Sequence, residues 1–90
     1  MKRAEYKVPG GKLLVADTEV KEGVLTTVKV MGDFFMHPEE AINDLEDALS
    51  GKDASQIDEI VEEFFGGKEI TLFGVSAKDF AHVLKLTLDS

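Results

Sequence analysis

The stretch KLLVADTEV (Lys12 to Val20), the break Lys21-Glu22-Gly23 and the stretch VLTTVKVM (Val24 to Met31) together decide the fold. Both longer runs are rich in Val, Leu and Thr, which pack well on a pleated surface, and a short break containing glycine between two such runs is the signature of a β-hairpin. In the second run Val24, Val28 and Val30 share a parity with Thr26, whereas Leu25, Thr27, Lys29 and Met31 point the other way. One face is therefore apolar and the other mixed, which predicts helices on one side only. A lone hairpin is marginal in water, so a further strand or a helical layer is required.

Downstream the apolar period changes from two to between three and four. Pro38, Glu39 and Glu40 suit the first turn of a helix, Ala41, Ile42, Leu45, Ala48 and Leu49 lie on one face of it, and Gly51 offers a stop, so a helix is expected at about 39–50. Ser55 with Asp58 has the spacing of a capping box, and Ile57, Ile60, Val61, Phe64 and Phe65 form a second stripe before Gly66-Gly67, which places a helix at about 56–65. Ile70 to Phe73 is a short β-prone run. Ser76 and Asp79 repeat the capping pattern ahead of Phe80, Val83, Leu84, Thr87 and Leu88, so the chain is expected to end in a third helix. Strands first and helices after predict an α+β domain: a small antiparallel sheet, the hairpin plus a short strand, covered on one face by about three helices. With no linker or internal repeat, residues 1–90 read as one domain.

Size and charge narrow the function. Ninety residues bury somewhat over ~60% of the surface exposed by the unfolded chain, enough for one core but with little room for a large enclosed substrate pocket. The absence of cysteine leaves no disulfide framework, thiolate metal cluster or thiol nucleophile, and a reducing, cytoplasmic setting fits. No apolar run is long enough for a membrane helix, and MKRAEYKVPGG lacks the core of a signal peptide, so no membrane partner is expected. A net charge of -8 argues against nucleic acid, whose phosphates call for clustered Lys and Arg. Residues 1–35 carry six basic and five acidic side chains, whereas residues 36–69 carry two and eleven. The default for these acids is a solvated face opposite the apolar stripes; the livelier reading is attraction to a basic partner.

The most unusual local string is Lys7-Val8-Pro9-Gly10-Gly11-Lys12. Two adjacent glycines let backbone N–H groups approach an anion and the lysines add positive charge, the elements of a phosphate-contacting loop. It lacks the spacing and the Ser or Thr of a P-loop and precedes a strand, so a plain Pro-Gly-Gly turn explains it as well. Gly32 to Pro38 reads as the junction from sheet to helix, with Asp33 bonding turn backbone. Phe34 and Phe35 are consecutive, so an extended backbone buries one and leaves the other for a partner. His37 and His82 fall in no metal-ligand spacing, and Ser55 and Ser76 read as caps. No catalytic set and no metal site is expected.

These strings resemble the accessory domain of lipoate-protein ligase. Lys7-Val-Pro-Gly-Gly-Lys12-Leu, the hairpin with Gly23, Val28 to Phe35 ending in Gly32-Asp33-Phe34-Phe35, the Leu49-Ser50-Gly51 helix end and Phe73-Gly74-Val75 before a helix carry the likeness, which extends over about residues 5–88. In many bacteria this domain is the C-terminal part of one ligase chain. In some archaea and bacteria it is a separate small subunit, the form that a one-domain chain starting at Met1 resembles. The resemblance implies a heterodimer with a large catalytic subunit that holds lipoate and Mg-ATP, no cofactor bound by this chain alone, and transient encounters with lipoyl carrier domains. It implies a chain that is not an enzyme by itself but is needed for adenylation of lipoate to lipoyl-AMP. Lys12 first, then Lys7, with Gly10 and Gly11, are the expected nucleotide or phosphate contacts, and Phe34 and Phe35 the expected partner interface. The competing expectation is an acidic protein-interaction module with no part in nucleotide chemistry.

Overall fold

A computed structural model describes residues 1–89. The hairpin forms from β2 (Leu13–Lys21) and β3 (Val24–Gly32), and its turn is Glu22-Gly23, both at positive φ (52° and 81°). Two left-handed residues in a two-residue loop match the twist of the strands they join. A third strand, β1 (Lys2–Lys7), pairs antiparallel with β2, giving the sheet order β1-β2-β3. The short run near 70–73 does not join this sheet. As β5 (Thr71–Phe73) it pairs with β4 (Phe35–His37), so the segment read as a plain sheet-to-helix junction contains a strand of its own.

The strict alternation expected along β3 breaks. Glu19 faces Thr27 but Val20 faces Leu25, leaving Thr26 as an extra residue whose hydroxyl donates to the Glu19 carbonyl at 3.1 Å. A bulge of this kind resets parity. Leu25 is therefore fully buried on the side of Val28 and Val30, and Val24, expected there, is only half-buried.

The helices are α1 (Ala41–Leu49), α2 (Ile57–Gly66) and α3 (Ala77–Leu88). The expected Ser55–Asp58 cap is not the one used. The chain enters α2 through a 3₁₀ turn, Ala54–Gln56, so the capping position falls earlier, at Asp53, whose carboxylate accepts the Ser55 N–H at 2.9 Å. Asp58 is left for an ion pair with Lys85 of α3 at 2.9 Å. At α3 the capping box forms as expected, with the Asp79 carboxylate accepting the Ser76 N–H at 2.8 Å.

All three helices lie on one side of the sheet. α3 packs on β1 and β2, α1 on β3, and α2 on both other helices. Leu14, Ala16 and Thr18 of β2 face them; Thr18, fully buried, donates to the Thr87 hydroxyl at 2.7 Å, which donates onward to the Leu84 carbonyl at 2.6 Å. That relay satisfies two buried hydroxyls and ties α3 to the sheet. The outer edge of β3 is closed: the Leu25 N–H donates to Lys52, Gly51 donates to the Leu25 carbonyl, and the Val30 N–H finds a Glu46 carboxylate oxygen at 2.8 Å. A core of Leu14, Leu25, Leu45, Leu49, Ile57, Val61, Phe80 and Leu84 fills the space between the layers.

Candidate functional site

β1 ends at Lys7, and the chain reverses through Val8-Pro9-Gly10-Gly11 into Lys12. The turn is closed by the Val8 N–H on the Lys12 carbonyl (3.0 Å) and the Gly11 N–H on the Val8 carbonyl (2.8 Å). Gly10 takes φ 72°, a left-handed conformation that a side chain makes costly. The Lys7 ammonium folds back onto the carbonyl oxygens of Gly11 and Val8, so it is engaged in closing its own loop. Lys12 differs. Its N–H donates to the Gly74 carbonyl at 2.8 Å, its aliphatic stem lies against Gly74, and among the described residues its exposed ammonium has no ion pair or hydrogen bond.

Crowding around Lys12 and Leu13 explains three glycines at once. A Cβ on Gly11 would run into the Gly74 carbonyl oxygen, one on Gly74 into the Lys12 stem, and one on Gly32 into the Leu13 carbonyl. In Gly32-Asp33-Phe34-Phe35 the glycine permits that approach, and the Asp33 backbone N–H then donates to the Leu13 carbonyl of β2 at 3.1 Å, a main-chain bond and not the side-chain turn bond expected of an Asp. Phe34 turns inward, half-buried, with its ring edge-on to Phe80 at 5.2 Å. Phe35 turns outward. Directly across the β4–β5 pair stands Phe73, with the two ring centroids 5.7 Å apart, and both stay open to solvent at 51% and 62% exposure. Phe73 precedes Gly74, so the outward aromatic pair and the Lys12 loop meet at one junction.

Of the residues singled out from sequence, the structure thus gathers Lys7, Gly10, Gly11 and Lys12 on one loop, links Phe35 to it through Phe73 and Gly74, and sends Phe34 to the interior side. Phe73 and Gly74 went unrecognised as site residues. The alternation Thr71-Leu72-Phe73 was the available signal, since it places Leu72 inward and Phe73 out, but the register that sets Phe73 opposite Phe35 is a long-range property.

Elsewhere the open face of the sheet carries a fork-shaped ion pair, with Arg3 Nε and Nη2 on the two Asp17 carboxylate oxygens at 2.7 and 2.9 Å. This hydrogen bonding holds Asp17 below the usual carboxylate range despite its partial burial, aided by the charges of Arg3 and Lys29. Asp53 is likewise held low by the N–H and hydroxyl of Ser55. An open groove of about 820 Å³ runs between α2 and α3, floored by Val61, Phe65 and Ala81 and bordered by Tyr6 against His82. Among the described residues no cluster of His, Asp or Glu is arranged to hold a metal, and no helix is long and apolar enough to cross a membrane.

A scaffold of this shape has counterparts. The family described as bacterial lipoate protein ligase C-terminus matches residues 2–84, and the chain belongs to that family. Among its relatives is lipoate-protein ligase A subunit 2 of Thermoplasma acidophilum, 41% identical over 59 residues; the match spans 66% of this chain and 62% of that protein's length. A solved chain from an archaeal lipoylation system of the same organism, a bi-partite lipoate protein ligase with its E2 lipoyl domain, superposes with a TM-score of 0.79 at 30% identity, covering 92% of this chain and 90% of that one.

Proposed function

We propose that this chain is the small subunit of a two-chain lipoate-protein ligase, and that it supports adenylation of lipoate by presenting Lys12 to a nucleotide held in its larger partner. The observation that carries this is the junction at Gly74: a loop whose Lys12 ammonium is unengaged is bonded to Gly74, the residue that follows Phe73 of the exposed aromatic pair. Exposed aromatic anchors are what stable protein pairs rely on, so Phe35 with Phe73 is the docking contact. In the reaction the lipoate carboxylate attacks the α-phosphorus of ATP, and the bond to pyrophosphate breaks. Mg²⁺ and nucleotide, bound by the partner, supply metal-assisted phosphate chemistry. Lys12, with its stem laid along Gly74, brings one further positive charge to the departing phosphates, where negative charge grows. Lys7 shapes the loop from behind.

The test is lipoate-dependent exchange of pyrophosphate into ATP. The chain alone should show none, and adding the larger subunit should produce it. Removing one well-placed donor to a transition state costs roughly 100- to 1,000-fold in rate. Lys12→Ala should therefore cripple exchange by the pair, while lipoyl transfer from supplied lipoyl-AMP changes far less because pyrophosphate has already left. Exchange by the isolated chain, or an unaltered rate in Lys12→Ala, would sink this reading.

A further inference from the structure

Lysine is a poor tool for precise placement, because four rotatable methylene units separate its charge from the backbone. Lys12 is held at two levels. Its backbone N–H is fixed by the Gly74 carbonyl at 2.8 Å, and its Cγ occupies the space where a side chain on Gly74 would begin, with Cβ and Cδ to either side. Gly74 sits at φ 85°, the left-handed region, and its carbonyl also fills the space a side chain on Gly11 would need. Residues 11, 12 and 74 therefore interlock. Gly10, Gly23 and Gly51 share a positive φ but have open space around them, so at those positions glycine answers to backbone conformation alone. At Gly74 glycine answers to conformation and to the lysine stem together.

We infer that Gly74 is a positioning residue for Lys12, a bed that aims the ammonium while Phe73, the residue before it, stands in the aromatic pair. The inference rests on the reading of Lys12 given above and adds to it a residue from the other end of the chain. A methyl group on Gly74 would displace the stem by on the order of 1 Å, a misplacement that can cost ~100-fold even when the substituted residue touches no substrate.

The experiment uses the small subunit reconstituted with the larger one, at saturating small subunit, and follows lipoate-dependent pyrophosphate exchange, subunit affinity and the unfolding midpoint. Gly74→Ala is expected to lower exchange about 100-fold with subunit affinity unchanged. Gly74→Asn brings the same Cβ on a residue that tolerates positive φ, so it should show the same loss with a smaller change in midpoint, and it carries the comparison if the alanine variant fails to fold. In a Lys12→Ala background, Gly74→Asn should add no more than about twofold, the non-additivity of two residues acting as one. A general loosening of the fold would instead compound the two losses, and that result overturns the inference. So does wild-type exchange in Gly74→Asn alongside a crippled Lys12→Ala, which spares the Lys12 reading. Wild-type exchange in Lys12→Ala removes that reading and the inference with it.

Discussion

Phe34 and Phe35 are neighbours in the chain, yet they belong to two aromatic groups with opposite fates. The inner group runs from Phe34 to Phe80, which stacks on Phe65 at 5.4 Å, and on to Phe64, edge-on to Phe65 at 5.2 Å. It joins the strand end to α2 and α3, and Phe80 at its centre has no exposure. Among the described residues the outer group is Phe35 with Phe73, braced against each other and more than half exposed. Residue type is therefore silent about role. One residue step along an extended backbone reverses the direction of a side chain, and that step separates fold maintenance from display.

The largest effect that can break this division is on stability. Phe80→Ala removes the centre of the inner group and should cost ~3–5 kcal/mol in urea unfolding, whereas Phe73→Ala, open to solvent, should stay within ~0.5 kcal/mol. Similar losses in both would erase the distinction. Next comes binding. The double variant Phe35→Ala with Phe73→Ala should weaken association with the proposed larger subunit by at least ~2 kcal/mol, roughly 30-fold, in a titration where its unfolding midpoint barely moves. Unchanged affinity would mean that the outer rings are exposed without purpose.

The smallest effect sharpens the comparison through pH, because the inner group has nothing to titrate while the open sheet face has Asp17 paired to Arg3. A carboxylate held below its unfolded value of about 3.9 contributes stability above that value and loses it as pH falls through the folded one. The midpoint of the wild type should thus exceed that of Asp17→Asn at pH 6, and the gap should close below about pH 4. The pair is largely exposed on its Arg3 side, so the gap is small. A gap that widens in acid would contradict the assigned shift.

Much of this architecture was legible from local chemistry. The hairpin announced itself through Val and Thr runs around Glu22-Gly23, and α3 through its apolar stripe behind Ser76 and Asp79, because these signals are complete within a dozen residues. β1 was less legible: Lys2, Arg3, Glu5 and Lys7 are charged, and only Ala4 and Tyr6 turn toward the helices, so its identity as a strand depends on pairing with β2. The bulge at Thr26 escaped for a related reason, since one unpaired residue leaves no compositional trace yet exchanges Val24 for Leu25 in the core. For the site, the Pro-Gly-Gly loop and Phe35 stood out as unusual strings. Phe73 and Gly74 did not, because their meaning comes from Phe35 and Lys12, more than thirty residues away in the chain.

The way the charges divide between the two layers makes the molecule electrically polar along the direction from helices to sheet. The segment 36–69, which holds α1 and α2, carries eleven acidic side chains against two basic ones, whereas the first 35 residues, home of the three-stranded sheet and the Lys12 loop, are nearly balanced. A body charged in this way feels a torque in another protein's field before the surfaces touch. Near an electronegative surface it turns the acidic α1 and α2 away. Rising salt shortens the reach of that torque, to a Debye length of about 3 Å at 1 M, so correctly oriented encounters should become rarer while the contacts that hold a finished pair together remain.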